Sequence, residues 1–599
     1  MPRNAPANTA ASAAILGAAS ASEGLSPRFA AQTAGNSGDA AALKRLTRAI
    51  RDLKTLKGEP ALRQAVNSLR AGDPVAAGQW AYKALQADER NGLAWHMMAI
   101  AREQVGDFKT SLQAYESALA LLPDHAGVAN DLGRLAYRMG MFDVSEKLFR
   151  HYLAKHPDSH EAANNIACAL RDQGRYEEAV DFLRHGIMAN QDKAMLWNTM
   201  GTLVAQQGDP LGSMTFYDEA LRLEPTLTFA RYNRGNAKLV AGDVEGALAD
   251  CEASLAEVKA EPERLMMQLA RSSIRVALGD VGGGWDDYEA RLHSQFADVT
   301  HFVIDRPRWE PESDLAGRTL LVMGEQGLGD EVMFANVLPD VIEALGPDGK
   351  LILALEERLV SLFTRSFPKA QVVSHLTGKR EGHTLRGPTD AVDMAGVDLW
   401  TPLASLLRRF RRSVEAYPAR DHYLTPDPAR VAHWKAKLAK APAGLKVGIL
   451  WKSLKNDAAR ARYFSPFDDW GPVFAQKGVT FVNLQYGETA DELAHAKARF
   501  GVDIWNPPGI DLKQDLDDLA ALTRALDLTL APPNATSNIA AACGAPVWLI
   551  SPPGSWPRLG TTRYPWYPQA RVFVPATFGD WGPLMAQVGT AIGALATGT

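Results

Sequence analysis

Cysteine is scarce: Cys168, Cys251 and Cys543 are the only three in 599 residues. They are too few and too scattered for a disulfide framework or a cysteine zinc site, which fits a reducing cytoplasm. Long apolar runs are missing too. No stretch of about 18 apolar residues occurs, so no membrane insertion is expected. Neither sign of charge dominates: 64 basic and 69 acidic residues leave a formal net charge of -5, with no general pull towards nucleic acid. The opening MPRNAPANTAASAAILGAAS has one arginine, a weakly apolar alanine-rich stretch and no convincing cleavage pattern. Residues 1–38 are therefore read as a disordered tail rather than a signal peptide. What is present is ordinary for a globular chain, 46% hydrophobic and 22% charged, and a prior of about 150 residues per domain suggests roughly four units.

A repeat organises the first half. Gly72, Gly106, Gly140, Gly174, Gly208 and Gly242 follow one another at intervals of 34 residues. Seven residues before each glycine stands a small residue (Ala65, Ala99, Gly133, Ala167, Gly201, Gly235), and five after it stands Ala or Ser, from Ala77 to Ala247. Small residues in register suit two helices that cross closely, and the glycine between them frees the backbone to end one helix and begin the next. Larger side chains nine residues after the glycine, Tyr115, Phe149, Leu183, Tyr217 and Cys251, are expected to fill the space between hairpins. The pattern resembles the tetratricopeptide repeat over roughly residues 58–261. Residues 39–57 are read as a leading helix, and residues 58–298 as a solenoid of six regular repeats and one irregular capping unit containing Gly279, Asp280, Trp285 and Tyr288. Asn130, Asn164 and Asn198 share one register, with Asn165 and Asn233 one position further along. Their amides offer donors and acceptors to an extended peptide, or they are polar residues on a solvated face. The ladder resembles that of the eukaryotic O-GlcNAc transferases, which implies a groove for an acceptor protein.

After a linker over residues 299–317, strands alternate with helices. Thr319–Met323 reads as a buried strand entering Gly324-Glu325-Gln326-Gly327-Leu328-Gly329-Asp330-Glu331, followed by an apolar helix from Val332 to Leu345. A strand, a glycine-rich turn and a helix can present backbone amides to an anionic or polar ligand. The order of the glycines departs from the dinucleotide fingerprint, and no Walker lysine is present. Strands are also expected at 350–355, 371–374, 446–451, 479–484, 526–531 and 546–550, with a charged helix over 403–414. This predicts two Rossmann-like lobes, 318–440 and 441–599, facing each other across a cleft, with ligands at the carboxyl ends of the strands.

The runs GEQGLGDEVMFA (324–335), VGILWKS (447–453), FVNLQYGE (481–488), APPNATSNIAAACGAPVWLI (531–550) and WPRLGTTRYPWYPQARVF (556–573) are similar to those of bacterial TPR-coupled glycosyltransferases of the GT-B fold. The last resembles flagellin glycosyltransferases of the FlmG type. Pro533, Asn534 and Asn538 stand where many relatives carry Asp-Thr and a later His. The resemblance implies an inverting, metal-independent transferase that moves a nonulosonic acid, such as pseudaminic acid, from a CMP-activated donor to Ser or Thr of flagellin in the cytoplasm. Asp330 then matches the base of heptosyltransferase-like relatives, with Glu331 and Glu325 as substitutes; the competing reading of Asp330 is a helix cap. Gly327, Gly329, Lys452, Arg462, Gln485, Tyr486, Asn534, Thr536, Ser537 and Asn538 are the candidate donor-binding residues. Cations at a strand exit can offset charge on a departing phosphate, and Asn534–Asn538 open a helix, where capping is the alternative. The pair Asp515 and Asp517 reads as a capped helix entry rather than a metal site, and no cofactor is expected. The rival to the enzyme is a TPR adaptor or chaperone for flagellar or secreted proteins whose GT-B domain has lost catalysis.

Overall fold

The computed structural model describes residues 59–296, 299–325, 327–380, 383–453 and 458–598. The expected tail and leading helix lie outside the described residues. The chain divides into two units, one holding residues 59–207 and 212–233, the other residues 208–211 and 234–599.

Paired helices fill the first unit. They run as α1 (Glu59–Arg70) with α2 (Pro74–Ala87), α3 (Gly92–Gln104) with α4 (Phe108–Leu121), α5 (Ala126–Arg138) with α6 (Phe142–Lys155), α7 (His160–Asp172) with α8 (Tyr176–Ala189), and α9 (Ala194–Gln206) with α10 (Pro210–Leu223). The sixth pair is α11 (Thr228–Ala241) with α12 (Val244–Glu257), and the division between units falls inside α11. Every repeat glycine has positive φ, from 75° at Gly72 to 99° at Gly208, a conformation that side chains resist. The following aspartate begins the second helix: Asp73, Asp107 and Asp243 accept from the backbone N–H three residues on.

The small-residue column marks the helix crossing. Ser111 Oγ donates to Ala99 O and Ser145 Oγ to Gly133 O, both at 2.8 Å. A methyl group on Gly201 would stand 2.6 Å from the Tyr217 ring, and one on Gly133 2.9 Å from the Phe149 ring. Glycine therefore lets an aromatic ring of the second helix lie against the first. We expect Gly201→Ala to lower the stability of the repeat unit by about 1–3 kcal/mol through overpacking. Adding Tyr217→Leu, which copies the buried pair Ala167 and Leu183, should restore most of the loss. Urea unfolding followed by helical ellipticity reads both, and a double variant no more stable than Gly201→Ala would show that the ring is not the cause.

The second unit holds the end of α11, α12, α13 (Glu261–Leu278), α14 (Val281–Tyr288) and two sheets. In the first, β1 (Thr300–Phe302), β5 (His383–Pro388), β4 (Ala370–Arg380), β3 (Lys350–Leu355), β2 (Thr319–Met323) and β6 (Leu399–Pro402) are neighbours in that order, all parallel except the β4–β5 pair. The second is wholly parallel: β11 (Arg571–Phe573), β10 (Val547–Ile550), β9 (Leu528–Ala531), β7 (Leu445–Ile449) and β8 (Val479–Asn483).

Several expectations need correction. The stretch expected as a linker contains β1, paired with β5. The capping unit does not close the solenoid as a separate piece: Trp285 sits in the α/β core, 6.0 Å from the Phe334 ring and 5.8 Å from that of Trp556. The helix expected over Val332 to Leu345 is broken into α15 (Leu328–Phe334), a 3-10 turn and α16 (Leu338–Leu345), whose first turn contains Pro339. The charged helix over 403–414 ends at Phe410. There Arg411 turns its guanidinium to Asn336 Oδ1 at 2.8 Å and Asp340 at 2.6 Å, so a buried tertiary pairing outweighs helix propensity. The two sheets share one core cluster, while each keeps a further cluster of its own. One cluster joins Leu320, Val332 and Phe334 of the first to Ala540, Val547 and Trp566 around the second.

All three cysteines are buried and free, and burial pushes the Cys251 and Cys543 thiols up to about 12. Among the described residues no helix is long and apolar enough to cross a membrane, and no His, Cys, Asp and Glu group is placed to hold a metal.

Candidate functional site

Strand order reverses at two places. In the first sheet β2 lies between β3 and β6; in the second β7 lies between β8 and β9. In open α/β sheets such points leave a crevice beyond the carboxyl ends of the strands. The glycine-rich run follows β2, Lys452 follows β7, and Asn534 follows β9, so most of the candidate residues belong to these exits.

The loop after β2 meets the loop after β9. Asn538, on α21 (Ala535–Ala542), donates its amide Nδ2 to Gly329 O at 2.9 Å. A methyl group on Gly329 would lie 3.1 Å from Ala535 N. The glycine is thus explained by the close approach of α21. Gly327 is the N-cap of α15 and provides no side-chain cap.

The three acidic residues differ. Glu325 is fully engaged: Arg291 donates to it through Nε at 3.0 Å and Nη2 at 2.6 Å, and Ala404 N–H at 3.2 Å. Glu331 accepts from Glu356 N–H at 3.0 Å, with His375 Nε2 at 3.7 Å from its other oxygen. Both carboxylates are fixed by the fold. Asp330 is buried, 2% exposed, and stands inside α15 rather than at its cap. The Tyr564 phenol beside it is pushed up, first by burial and then by the Asp330 charge.

Beyond β7 and β8, Gln485 Oε1 accepts from the backbone N–H groups of Trp451 at 3.2 Å and Lys452 at 3.0 Å. It clamps two strand exits together. Lys452 Nζ donates to Glu488 O at 3.0 Å and pairs with Glu492. Arg462 donates to Tyr463 Oη at 3.1 Å and stacks on that ring. Tyr486 is half-buried, and burial pushes its phenol up although Arg460 and Arg358 pull the other way. At α21, Asn534 and Ser537 form a reciprocal capping box, with Ser537 Oγ also donating to Pro532 O at 3.0 Å; Thr536 is buried. Capping accounts for Asn534 and Ser537. Asp515 likewise caps α20 (Leu516–Ala525) by accepting from Asp518 N–H.

The comparisons with known proteins bear on the whole chain. The tetratricopeptide repeat family matches residues 130–194. Protein FlbA of Caulobacter vibrioides is 49% identical over 582 residues, 97% of this chain and 98% of that one. The chain belongs to the FlbA family. Among solved structures, a tetratricopeptide repeat protein from Parabacteroides merdae is 16% identical, covering 39% of this chain and 91% of its own, with a TM-score of 0.35. MamA from Desulfovibrio magneticus RS-1 is 14% identical over 28% and 96%, with a TM-score of 0.27. The FlbA likeness extends through the repeats and the α/β region alike, so the family unites both.

In the repeats of this FlbA-family chain the asparagine register holds, yet the amides are buried: Asn130 and Asn164 are 3% exposed, Asn165 and Asn233 5%, Asn198 9%. Asn164, Asn198 and Asn233 bond from one repeat to the next. Asn233 Nδ2 donates to Asn198 Oδ1 at 2.8 Å, and Thr199 donates to Asn164. His96 and Asp131, 35 residues apart, make the same step at 2.9 Å. These three asparagines therefore tie neighbouring hairpins together, a use that register alone does not distinguish from peptide binding. The reading from sequence also missed Arg386, which reaches Gly324 O at 2.7 Å from β5; no local pattern marks a strand that returns antiparallel.

Proposed function

We propose that this FlbA-family chain is an inverting GT-B protein O-glycosyltransferase. In this reading the exits of β2 and β9 form the transfer site, and Asp330 takes the proton of the acceptor hydroxyl as its oxygen bonds to the anomeric carbon and the bond from that carbon to the donor phosphate breaks, releasing CMP. The observation that carries it is the meeting of the Gly329–Asp330 segment with α21 beyond the carboxyl ends of β2 and β9, with Asp330 buried there. Flagellin as acceptor and a CMP-nonulosonate such as CMP-pseudaminic acid as donor come from the resemblance of the motifs. The repeats recruit the acceptor through their exposed side chains, since the ladder asparagines are buried. Location in the cytoplasm belongs to the same proposal.

The second reading, an adaptor with an inactive domain, is favoured by the closed capping box and the Lys452–Glu492 pair, which leave fewer polar groups for a donor. One experiment separates them. Purified full-length protein is incubated with flagellin and CMP-pseudaminic acid, and flagellin is weighed by intact mass spectrometry. A gain of one nonulosonate per modified site is expected. Absence of any gain, together with no calorimetric binding of the donor, would leave the adaptor.

A further inference from the structure

The loop from β10 to β11 has two faces. One sends Trp556, Tyr564 and Trp566 into the core. The other brings Arg558 and Thr562 to a cavity of about 880 Å³, walled by Trp548, Arg571 and Phe573 of the last two strands and flanked by α22 (Trp581–Thr597). Because β11 is the edge of its sheet, this cavity lies three strands from β7, whose exit carries Lys452.

Several buried arginines face carboxylates: Arg171 meets Asp172, Arg291 meets Glu325 and Arg411 meets Asp340, while Arg386 donates to Gly324 O and the Thr377 hydroxyl. Arg558, half-buried, has neither a carboxylate nor a full set of acceptors among the described residues. Among the described residues no carboxylate lies within ion-pair reach of it; it donates only to Pro553 O, and its buried Nε has no hydrogen-bond partner. Burial, opposed by no neighbouring charge, pulls its guanidinium below the usual arginine range. A cation withdrawn from water without a counter-ion is unfavourable unless an anion joins it. Arg571 adds a second cation at the same wall. It is held by ring faces, 5.0 Å over Trp548 and 4.5 Å over Phe573, and among the described residues it too has no ion-pair partner. Stacking of this kind fixes a guanidinium plane while leaving its N–H edge for an oxyanion.

We propose that this cavity is an oxyanion site in which Arg558 and Arg571, with the Thr562 hydroxyl, bind a small molecule through a phosphate or carboxylate group. The site stands on its own geometry and does not depend on the sugar-transfer reading. The test is calorimetry on the full-length protein at low salt with three separate probes: inorganic phosphate, CMP, and N-acetylneuraminic acid, whose only charge is a carboxylate. Binding of at least one probe is expected, weakened at least tenfold by Arg558→Gln and by Arg571→Gln. Binding of phosphate and CMP assigns the site to phosphate, with a preference for CMP pointing to a nucleotide source, and binding of the sugar acid alone assigns it to a carboxylate. Arg571 is exposed, so its variant keeps the test decisive if Arg558→Gln does not fold. No binding by any probe, or affinities that neither variant changes, would overturn the proposal.

Discussion

Asp330→Asn is expected to reduce transfer of the sugar to flagellin by roughly 10²–10⁴-fold, the usual contribution of a positioned general base. The substitution keeps size and hydrogen-bonding shape and removes only the basic oxygen pair. Asp330 lies in the first turn of α15 and not at its N-cap, and the amide is isosteric, so the melting temperature should stay close to that of the parent. Single-turnover mass spectrometry with saturating donor measures the rate, and calorimetry with donor checks that binding survives. Glu331→Gln is the necessary comparison. Its carboxylate accepts from Glu356 N–H, so its loss should appear chiefly as lower stability. A full rate in Asp330→Asn would remove the base assignment, and a loss in Glu331→Gln at unchanged stability would transfer it to Glu331.

The helical half was legible because its rule is local and repeated. A glycine every 34 residues forces a left-handed turn, and the columns on either side state where helices cross. The α/β half was legible where a strand is a short apolar run between turns, as at Thr319–Met323 and Lys350–Leu355. It was illegible where partners are remote. Nothing near Thr300 announces pairing with Thr384, and nothing near Phe410 announces that Arg411 will leave its helix for Asp340. The site divides in the same way. Position at strand exits could be read from the pattern, but whether a polar side chain is free or spent depends on residues far along the chain: Gln485 on the Lys452 backbone, Asn538 on Gly329, Glu325 on Arg291. Register predicted the asparagine ladder and could not predict its burial.

The Glu325–Arg291 pair should govern the stability of the α/β unit. Arg291 is 8% and Glu325 3% exposed, and the guanidinium meets the carboxylate through two nitrogens. Removing Glu325 leaves Arg291 with Glu289 alone and without two of its hydrogen bonds in a medium that solvates charge poorly, so Glu325→Ala should cost about 3 kcal/mol. Exchanging both, Glu325→Leu with Arg291→Met, should cost far less, because no unpaired charge remains and the volume is nearly kept. Acid should act on the same cluster through Glu289. Burial pushes its carboxyl up, but Arg291 and Arg308 outweigh burial and hold it below the usual carboxylate range. A carboxyl depressed on folding stabilises fully above its unfolded value of about 4.3, and that contribution is lost as pH falls through the folded value. Stability should therefore decline from about pH 5 downward, and Glu289→Gln should flatten that decline while lowering stability at neutral pH. Urea titrations between pH 3 and 7, followed by tryptophan fluorescence, read both effects; an equal acid slope in Glu289→Gln, or a double variant as unstable as Glu325→Ala, would show that the ion-pair cluster does not hold this unit together.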